Sequence, residues 1–334
     1  MKQTHKLIPY GSGPTTAQGR SALADDLEPL FPHVCTELNI GSPDKQKRIE
    51  TGSHHLVWKI TTRSGQFALR ASSRLGQKNR HLRESLWTEV AKLGVAPKYH
   101  GCVRVRRGEF DGWLEAFGWI DGRNLSPSTD HLELARLLAK LHASPITRST
   151  KFAPHVSLTE FMRSNLASDM ANLRGRRPLD RLCRSRTAEA LDSLRTEPLR
   201  HSRMALVHND LVDANVLRSR SGISLIDWDW AMITLPEVDL FCFLSPFVRS
   251  WRRRPRYVKA QTASEFIAEY LRLTSRIKRR KQVLEVSCWK PYNVLLANWL
   301  QRETSAPEHM ARLSFYQKAF QEVEKMALVL DTFK

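Results

Sequence analysis

Two short segments decide the fold, His208-Asn-Asp-Leu-Val-Asp-Ala-Asn215 and Leu225-Ile-Asp-Trp-Asp-Trp-Ala231. Each begins at or near the end of an apolar run that predicts a short buried strand, and a Ser-Gly turn lies between them. Because one hairpin-like unit carries both segments, we expect the side chains of Asp210, Asn215 and Asp227 to lie near the ends of the same strands.

These three side chains suit phosphoryl transfer. That reaction needs metal ions to neutralise nucleotide phosphates and a carboxylate to orient the attacking hydroxyl and take its proton. Mg²⁺ is a hard cation that prefers oxygen ligands, so Asn215 and Asp227 are suitable metal ligands. Asp210 is then left as the base for a substrate hydroxyl.

Together the two segments resemble the catalytic and metal loops of the aminoglycoside phosphotransferase/choline kinase family, closest to its choline/thiamine kinase-like branch. The resemblance implies a protein-kinase-like α/β (α+β) fold with two lobes. It implies ATP and Mg²⁺ as cofactors, Asp210 as the catalytic residue, and Asn215 and Asp227 as metal ligands. His208 matches a position that supports the geometry of the catalytic loop, and Asp239 matches an acid that braces the C-terminal lobe.

The remaining sequence predicts three regions. Residues 1–22, with several Gly and Pro and little to bury, read as a flexible tail. Residues 23–120 contain alternating segments separated by turn residues, which predict a small strand-rich N-terminal lobe with one helix ending at Gly94. Residues 121–334 contain apolar stripes at helical spacing, which predict a large helical C-terminal lobe.

In the N-terminal lobe, Arg70 ends a predicted strand at the position of the family's phosphate-binding basic residue. The resemblance implies that Arg70 holds nucleotide phosphates and that Glu84, on the following helix, holds Arg70. Glu89 is a competing partner one or two turns further on. An exposed strand-end charge and a solvated helix acid are the plain alternatives for Arg70 and Glu84.

Two further segments match nucleotide-binding positions of the family. Gly52, Ser53 and His54 fit the loop that covers the phosphates, although a hairpin turn explains one glycine equally well. The segment that joins the lobes would meet the adenine edge with its main chain, and an edge strand with aromatic packing is the alternative. Its assigned residues are Ala116, Phe117 and Trp119.

The acceptor is less determined. Acidic and aromatic residues around the catalytic segments could face a cation, because acids neutralise it and indole faces attract it. The candidate substrate residues are Asp213, Asp229, Trp230, Trp299 and Glu303. Trp289, Tyr292 and Trp299 fall on one late helix, so core packing is the alternative for that set. Asp229 and Trp230 stand where choline kinases usually have Glu and Tyr, which weakens the case for choline itself.

Composition limits the remaining possibilities. The chain has 334 residues, a formal net charge of +19 and five widely spaced cysteines without a metal-like or disulfide-like pattern. The Arg/Lys runs could contact nucleic acid, but no nucleic-acid-binding motif accompanies them, which favours solvated surfaces. No signal peptide or membrane span is visible, so a cytoplasmic protein of undetermined oligomeric state is expected.

Three functions follow from this reading. The first is an ATP- and Mg²⁺-dependent kinase for a small-molecule hydroxyl, on a cationic or amino alcohol such as choline, ethanolamine or thiamine. The second is an aminoglycoside (antibiotic) phosphotransferase. The third, from another class, is an inactive kinase-like protein that binds nucleic acid or anionic surfaces, which intact Asp210, Asn215 and Asp227 argue against.

Overall fold

The computed structural model describes residues 17–49, 55–73, 80–108, 110–148, 156–173, 177–196, 204–249, 257–278, 284–303 and 309–333. By their contacts these residues fall into two compact units, Met1–Asp121 and Gly122–Lys334. None of the described helices is long and apolar enough to cross a membrane.

The first unit is built on an antiparallel sheet. Its strands are β1 (Pro43–Ile49), β2 (Leu56–Thr62), β3 (Gly65–Ser73), β4 (Tyr99–Arg107) and β5 (Phe110–Gly118). They pair in the order β1-β2-β3-β5-β4. The helices described in this unit are α1 (Ala17–Leu27), α2 (Phe31–Glu37) and α3 (Arg80–Lys92). The strand-rich N-terminal region with a helix inserted between β3 and β4 agrees with the sequence pattern.

The N-terminal helices cover one face of this sheet. β2 alternates buried and partly exposed residues, as a strand with one covered face must, and its buried side includes Trp58 and Ile60. Phe31 of α2 packs edge-on against Trp58, with ring centroids 5.0 Å apart. Burial of a side chain such as Phe31 contributes roughly 1.5–3 kcal/mol, so this contact fastens α2 to the sheet.

A helix begins within the segment that the sequence predicts as a tail. α1 starts at Ala17, so the expectation of a tail is wrong for residues 17–22, while residues 1–16 lie outside the described part. Ala24 and Leu27 of α1 are fully buried in the core of the first unit. Helix stability in proteins comes mainly from such packing, which outweighs the low helix propensity of Gly19.

α3 ends where the sequence predicts. Gly94 has a φ of 68°, and its N–H donates to the carbonyl of Ala91 at 2.8 Å. Glycine adopts this left-handed conformation without steric cost, which is why it commonly terminates helices. Leu86, Trp87 and Val90 of α3 are buried.

The second unit is mainly helical. Its described strands are β6 (Gly122–Asn124), β7 (Ala205–Val207), β8 (Val216–Ser219), β9 (Gly222–Leu225) and β10 (Met232–Thr234). Its described helices are α4 (Pro127–Ala143), α5 (Leu158–Asn172), α6 (Pro178–Thr196), α7 (Glu237–Leu244), α8 (Pro246–Arg249), α9 (Ala260–Lys278), α10 (Trp289–Glu303) and α11 (His309–Asp331). β6, β8 and β9 form one small sheet, and β7 pairs with β10.

Two helices form the support of the β7–β10 region. α7 is apolar on nearly every side and all eight of its residues are buried, as expected for a helix in the middle of a core. α4 packs beside α9, and His142 near the end of α4 bonds the hydroxyl of Tyr270 at 2.9 Å. Buried Leu134, Leu138 and Leu141 supply the apolar stripe that the sequence shows on α4.

Candidate active site

The predicted catalytic loop follows β7, whose three residues are all buried. Asn209 turns the chain with a φ of 62°, and a short 3-10 helix at Asp213–Asn215 leads into β8. Asn215 then reaches back across the loop. Its Nδ2 donates to Oδ2 of Asp210 at 2.7 Å and to the Asp210 carbonyl at 3.1 Å. One carboxylate oxygen of Asp210 is therefore held in place by the loop itself.

The β8–β9 hairpin brings Asp227 to the same place. The N–H of Ile226 donates to the carbonyl of Asn215 at 2.9 Å, which fixes the end of the hairpin beside the loop. Asp227 follows in the left-handed conformation, with φ 63° and ψ 68°. Non-glycine residues hold such a conformation only where their surroundings enforce it, which is frequent at functional sites. The structure thus brings Asp210, Asn215 and Asp227 together.

The electrostatics of Asp210 reflect this crowding. Burial and then the charge of Asp227 raise the pKa of Asp210 to about 7, although the hydrogen bond from Asn215 lowers it. Asp229 and Asp239 act in the same direction as Asp227. A carboxyl whose pKa lies near neutrality suits a group that accepts a proton during a reaction.

The site also offers oxygen donors for a divalent cation. Because Nδ2 of Asn215 is committed to Asp210, the side-chain carbonyl oxygen of Asn215 is left for a ligand. Asp227 contributes a partly exposed carboxylate. Hard cations such as Mg²⁺ prefer amide and carboxylate oxygens, and the surrounding acids favour positive charge. The residues present therefore fit Mg²⁺.

Asp239 holds the catalytic loop from α7. Its carboxylate accepts the main-chain N–H groups of His208 at 2.9 Å and of Asn209 at 2.7 Å. It also bonds Nε2 of His142 at 3.1 Å. Asp239 is fully buried, so these contacts replace the water that the carboxylate loses. The left-handed turn at Asn209 is fixed by this carboxylate.

His208 supports the same loop with its ring. Nε2 donates to the carbonyl of Ile226 at 2.9 Å, and Nδ1 accepts the N–H of Asp210 at 3.3 Å. Burial lowers the pKa of His208, which favours the neutral ring that this donor–acceptor pattern requires. The ring therefore links the catalytic loop to the end of β9.

We expect Asp239→Asn to lower the free energy of unfolding by about 3 kcal/mol, because the buried donors lose an ionised acceptor. Urea denaturation would measure the change. Asp44→Asn is the matched control, since Asp44 is exposed, and it should change stability by less than about 0.5 kcal/mol. Equal losses in both variants would show that Asp239 does not brace the loop.

In the first unit, Arg70 is bound by a carboxylate that the sequence analysis missed. Arg70 lies directly opposite Glu115 in the β3–β5 pairing, and its Nε donates to Oε2 of Glu115 at 2.6 Å. Glu84, the predicted partner, accepts from Nε of Arg80 at 2.9 Å and from Sγ of Cys102 at 3.1 Å. Glu84 is therefore linked to Arg70 through Arg80 and Glu115.

The segment assigned to the adenine edge is not an edge strand. β5 lies between β3 and β4, and both neighbours pair with Ala116 and Phe117. The N–H of Trp119 donates to the carbonyl of Gln66 at 3.0 Å. The main chain of Ala116 and Phe117 is therefore committed to pairing within the sheet. Gly52, Ser53 and His54, assigned to the phosphate-covering loop, lie outside the described residues.

Comparison with known families identifies the chain. The model of the phosphotransferase enzyme family matches residues 45–277, which is more than half of the sequence. This chain belongs to the phosphotransferase enzyme family. Its membership confirms the predicted resemblance and the predicted class of enzyme. A search of curated protein sequences found no significant match.

Solved structures confirm the fold of this phosphotransferase. A spectinomycin phosphotransferase bound to ADP and spectinomycin matches with a TM-score of 0.60 and 12% identity, over 89% of this chain and 98% of that chain. A choline kinase from Cryptosporidium parvum Iowa II has a TM-score of 0.58 and 14% identity, over 86% and 92%. An amicoumacin kinase bound to AMP-PNP and Ca²⁺ has a TM-score of 0.58 and 14% identity, over 92% and 96%. The predicted protein-kinase-like fold is confirmed.

Several predicted substrate residues of the phosphotransferase lie beside its catalytic loop. Asp229 and Trp230 belong to the short 3-10 helix that follows Asp227. The carbonyl of Trp230 accepts from Nδ2 of Asn209 at 3.3 Å. Asp213 opens the 3-10 helix inside the loop and is partly exposed. Acidic and aromatic side chains therefore accompany the predicted catalytic residues.

The three aromatic residues predicted on the late helix, Trp289, Tyr292 and Trp299, differ in burial. Trp289 and Tyr292 are buried, and Nε1 of Trp289 donates to the carbonyl of Val323 at 2.9 Å, so core packing is the correct interpretation for both. Trp299 of the same helix is 38% exposed. Glu303 is the last residue of α10, and its side chain lies outside the described part.

Sequence reasoning also missed supports of the phosphotransferase loop in the second unit. Sγ of Cys242, on α7, accepts the N–H of Leu211 at 3.2 Å. His142 joins Asp239 to Tyr270 through its two ring nitrogens. A histidine at the end of the apolar stripe on α4 is a signal that could have found this support, because a buried imidazole needs polar partners.

Proposed function

We propose that the phosphotransferase transfers the terminal phosphoryl group of ATP to a hydroxyl group of a small molecule. The observation that carries this proposal is the grouping of Asp210 and Asn215, 2.7 Å apart, beside Asp227 at the end of the neighbouring hairpin. A base and two oxygen donors for a cation are the groups that this reaction requires.

Asp210 is the base in this proposal. Its Oδ2 is held by Asn215, which leaves Oδ1 for the proton of the acceptor hydroxyl. The hydroxyl oxygen forms a bond to the terminal phosphorus while the bond from that phosphorus to the bridging oxygen breaks. ADP leaves with the electron pair, and the hydroxyl proton passes to Asp210. In a loose transition state this proton moves late, so a carboxylate suffices.

The predicted nucleotide-binding residues have separate roles in this proposal. Asn215 and Asp227 would hold Mg²⁺, which neutralises phosphate charge when it is bound. Arg70 would contact the phosphates, because a guanidinium offers paired donors to phosphate oxygens. Gly52, Ser53 and His54 would cover the phosphates, as the family resemblance implies.

We infer that the acceptor is a cationic or amino alcohol of the choline, ethanolamine or thiamine type. Asp213, Asp229 and Trp230 adjoin the catalytic loop, and acids with an indole face attract a cation. Local acidity would overcome the overall charge of +19, since charges beyond about 8 Å are screened at physiological salt. An aminoglycoside is the second candidate, because the same acids would bind its amines.

A panel of acceptors tests the proposal. ATP consumption with Mg²⁺ would be measured for choline, ethanolamine, thiamine, amino sugars and aminoglycosides, and we expect turnover on one of the three cationic alcohols. Turnover on aminoglycosides alone would favour the second candidate. Absence of any ATP turnover, together with salt-sensitive binding to nucleic acid, would favour the inactive kinase-like protein instead.

A further inference from the structure

Two arginines and two glutamates form a connected ion-pair cluster within the first unit. Glu115 binds an arginine with each carboxylate oxygen, Arg70 through Oε2 at 2.6 Å and Arg80 through Oε1. Arg80 also donates from Nε to Glu84 at 2.9 Å. The order of contacts is therefore Arg70, Glu115, Arg80 and Glu84.

The two glutamates differ in burial. The side chain of Glu115 is fully buried, whereas that of Glu84 is 38% exposed. Solvent screens an exposed ion pair strongly and a buried one weakly. Glu115 is therefore the carboxylate that fixes the orientation of the arginines, and Glu84 adds a solvated contact to Arg80.

Aromatic rings hold both guanidinium groups. Arg70 lies 5.2 Å from the ring centroid of Trp87, and Arg80 lies 5.3 Å from the same centroid. Arg80 also lies 4.9 Å from Trp113. A guanidinium packed against indole faces has few alternative positions, and these cation–π contacts favour the charged group at a buried site.

The contact between Arg80 and Glu115 affects the charge that Arg70 presents. Glu115 alone would neutralise Arg70, which would leave little attraction for phosphate. With Arg80 on its second oxygen, Glu115 shares its charge between two arginines and neutralises Arg70 less completely. Arg80 thus competes for the carboxylate that positions Arg70.

We propose that Glu115 and Arg80 are positioning residues for Arg70, with Glu115 orienting the Arg70 guanidinium and Arg80 preserving its attraction for nucleotide phosphates. The inference rests on the proposed function, which gives the phosphates to Arg70. It differs from the sequence expectation, in which Glu84 holds the basic residue and Glu89 is a competing partner.

Affinities for ATP and for adenosine test this inference, because adenosine lacks the phosphates. Both would be measured by calorimetry with Mg²⁺ and without acceptor. We expect Arg80→Gln to weaken ATP binding at least about tenfold, as loss of charge-assisted contacts does, while adenosine affinity stays within about twofold. Arg80→Lys, which keeps the charge, should restore most of the loss. Arg104→Gln, at an exposed arginine on β4, is the control and should leave the ratio of the two affinities unchanged.

A double-mutant cycle separates action through Glu115 from direct contact with phosphate. In a Glu115→Gln background, Arg80→Gln should change the ATP-to-adenosine affinity ratio by less than about twofold. A tenfold loss in that background, or an unchanged ratio in the single variant, would overturn the inference. If Glu115→Gln does not fold, an unchanged ratio in Arg80→Gln alone still overturns the inference. Arg70→Gln distinguishes the two proposals, because an unchanged ratio there would remove the phosphate role of Arg70 itself.

Discussion

Asp210→Asn should reduce phosphoryl transfer by about 10²–10⁴-fold while leaving Mg·ATP affinity within about threefold. General-base catalysis contributes a rate factor of this size, and an amide cannot take the proton of the acceptor hydroxyl. The substitution keeps the size of the side chain, so the loop around it can keep its shape. Steady-state turnover and calorimetric titration with Mg·ATP would measure the two quantities.

Glu160→Gln is the matched control for this substitution. Glu160 is an exposed acid in the same unit, in the first turn of α5, and its neutralisation should leave turnover within about twofold. Turnover of Asp210→Asn close to that of the parent protein would take Asp210 out of its assigned role. Loss of turnover accompanied by loss of nucleotide binding would mean that Asp210 serves the nucleotide rather than the acceptor.

Stability separates lost chemistry from lost folding in the same variant. Burial and neighbouring acids raise the pKa of Asp210 from 3.8 to about 7, so its ionised form is unfavourable in the folded protein. The parent protein therefore loses stability as the pH rises from 3.8 through about 7. Asparagine removes that cost, and without divalent cations the variant should be equally or more stable at pH 7. A lower melting temperature would contradict this account of the site.

The arrangement of the candidate site was largely predictable because its residues are close together in the sequence. Asp210 and Asn215 are five residues apart in one loop, and a hairpin carries the chain from Asn215 to Asp227. A buried strand, a tight turn and a second buried strand can be recognised in the sequence, so their ends can be placed together. The stop of α3 at Gly94 was predictable for the same local reason.

Contacts between distant strands were not predictable in this way. Glu115 lies 45 positions from Arg70, and the pair forms because β3 and β5 are neighbours in one specific register. A shift of one residue would move Glu115 to the other face of the sheet. The sequence shows five strands but not that β5 enters between β3 and β4, which is why an edge strand was the wrong alternative for β5.

Contacts between distant parts of the chain also explain why the start of α1 and the contacts of Asp239 were not predictable. The early residues of α1 belong to a helix that is held by burial of Ala24 and Leu27 against a sheet formed later in the sequence. Asp239 lies in a mainly apolar helix. The sequence does not show that its carboxylate accepts the N–H groups of His208 and Asn209. Packing across the core determines the start of α1 and the contacts of Asp239. Local sequence propensity carries no information about that packing.

Asp227→Asn should weaken ATP binding in the presence of Mg²⁺ by at least about tenfold, and it should strengthen binding of metal-free ATP. The carboxylate attracts the cation but repels the phosphates, so its neutralisation has opposite effects under the two conditions. Asparagine is the suitable replacement because it tolerates the left-handed backbone at this position, with φ 63°. Alanine would add backbone strain to the loss of a ligand.

Calorimetric titration of ATP with Mg²⁺, and with EDTA in its place, would show the two opposite changes. Glu160→Gln removes one exposed negative charge from the same unit and should change neither affinity by more than about twofold, so it corrects for net charge. Weaker binding of both forms of ATP would indicate a damaged site rather than a lost metal ligand. Unchanged affinity with Mg²⁺ would mean that Asp227 is not a metal ligand, and Asn215 with another oxygen donor would then have to hold the cation.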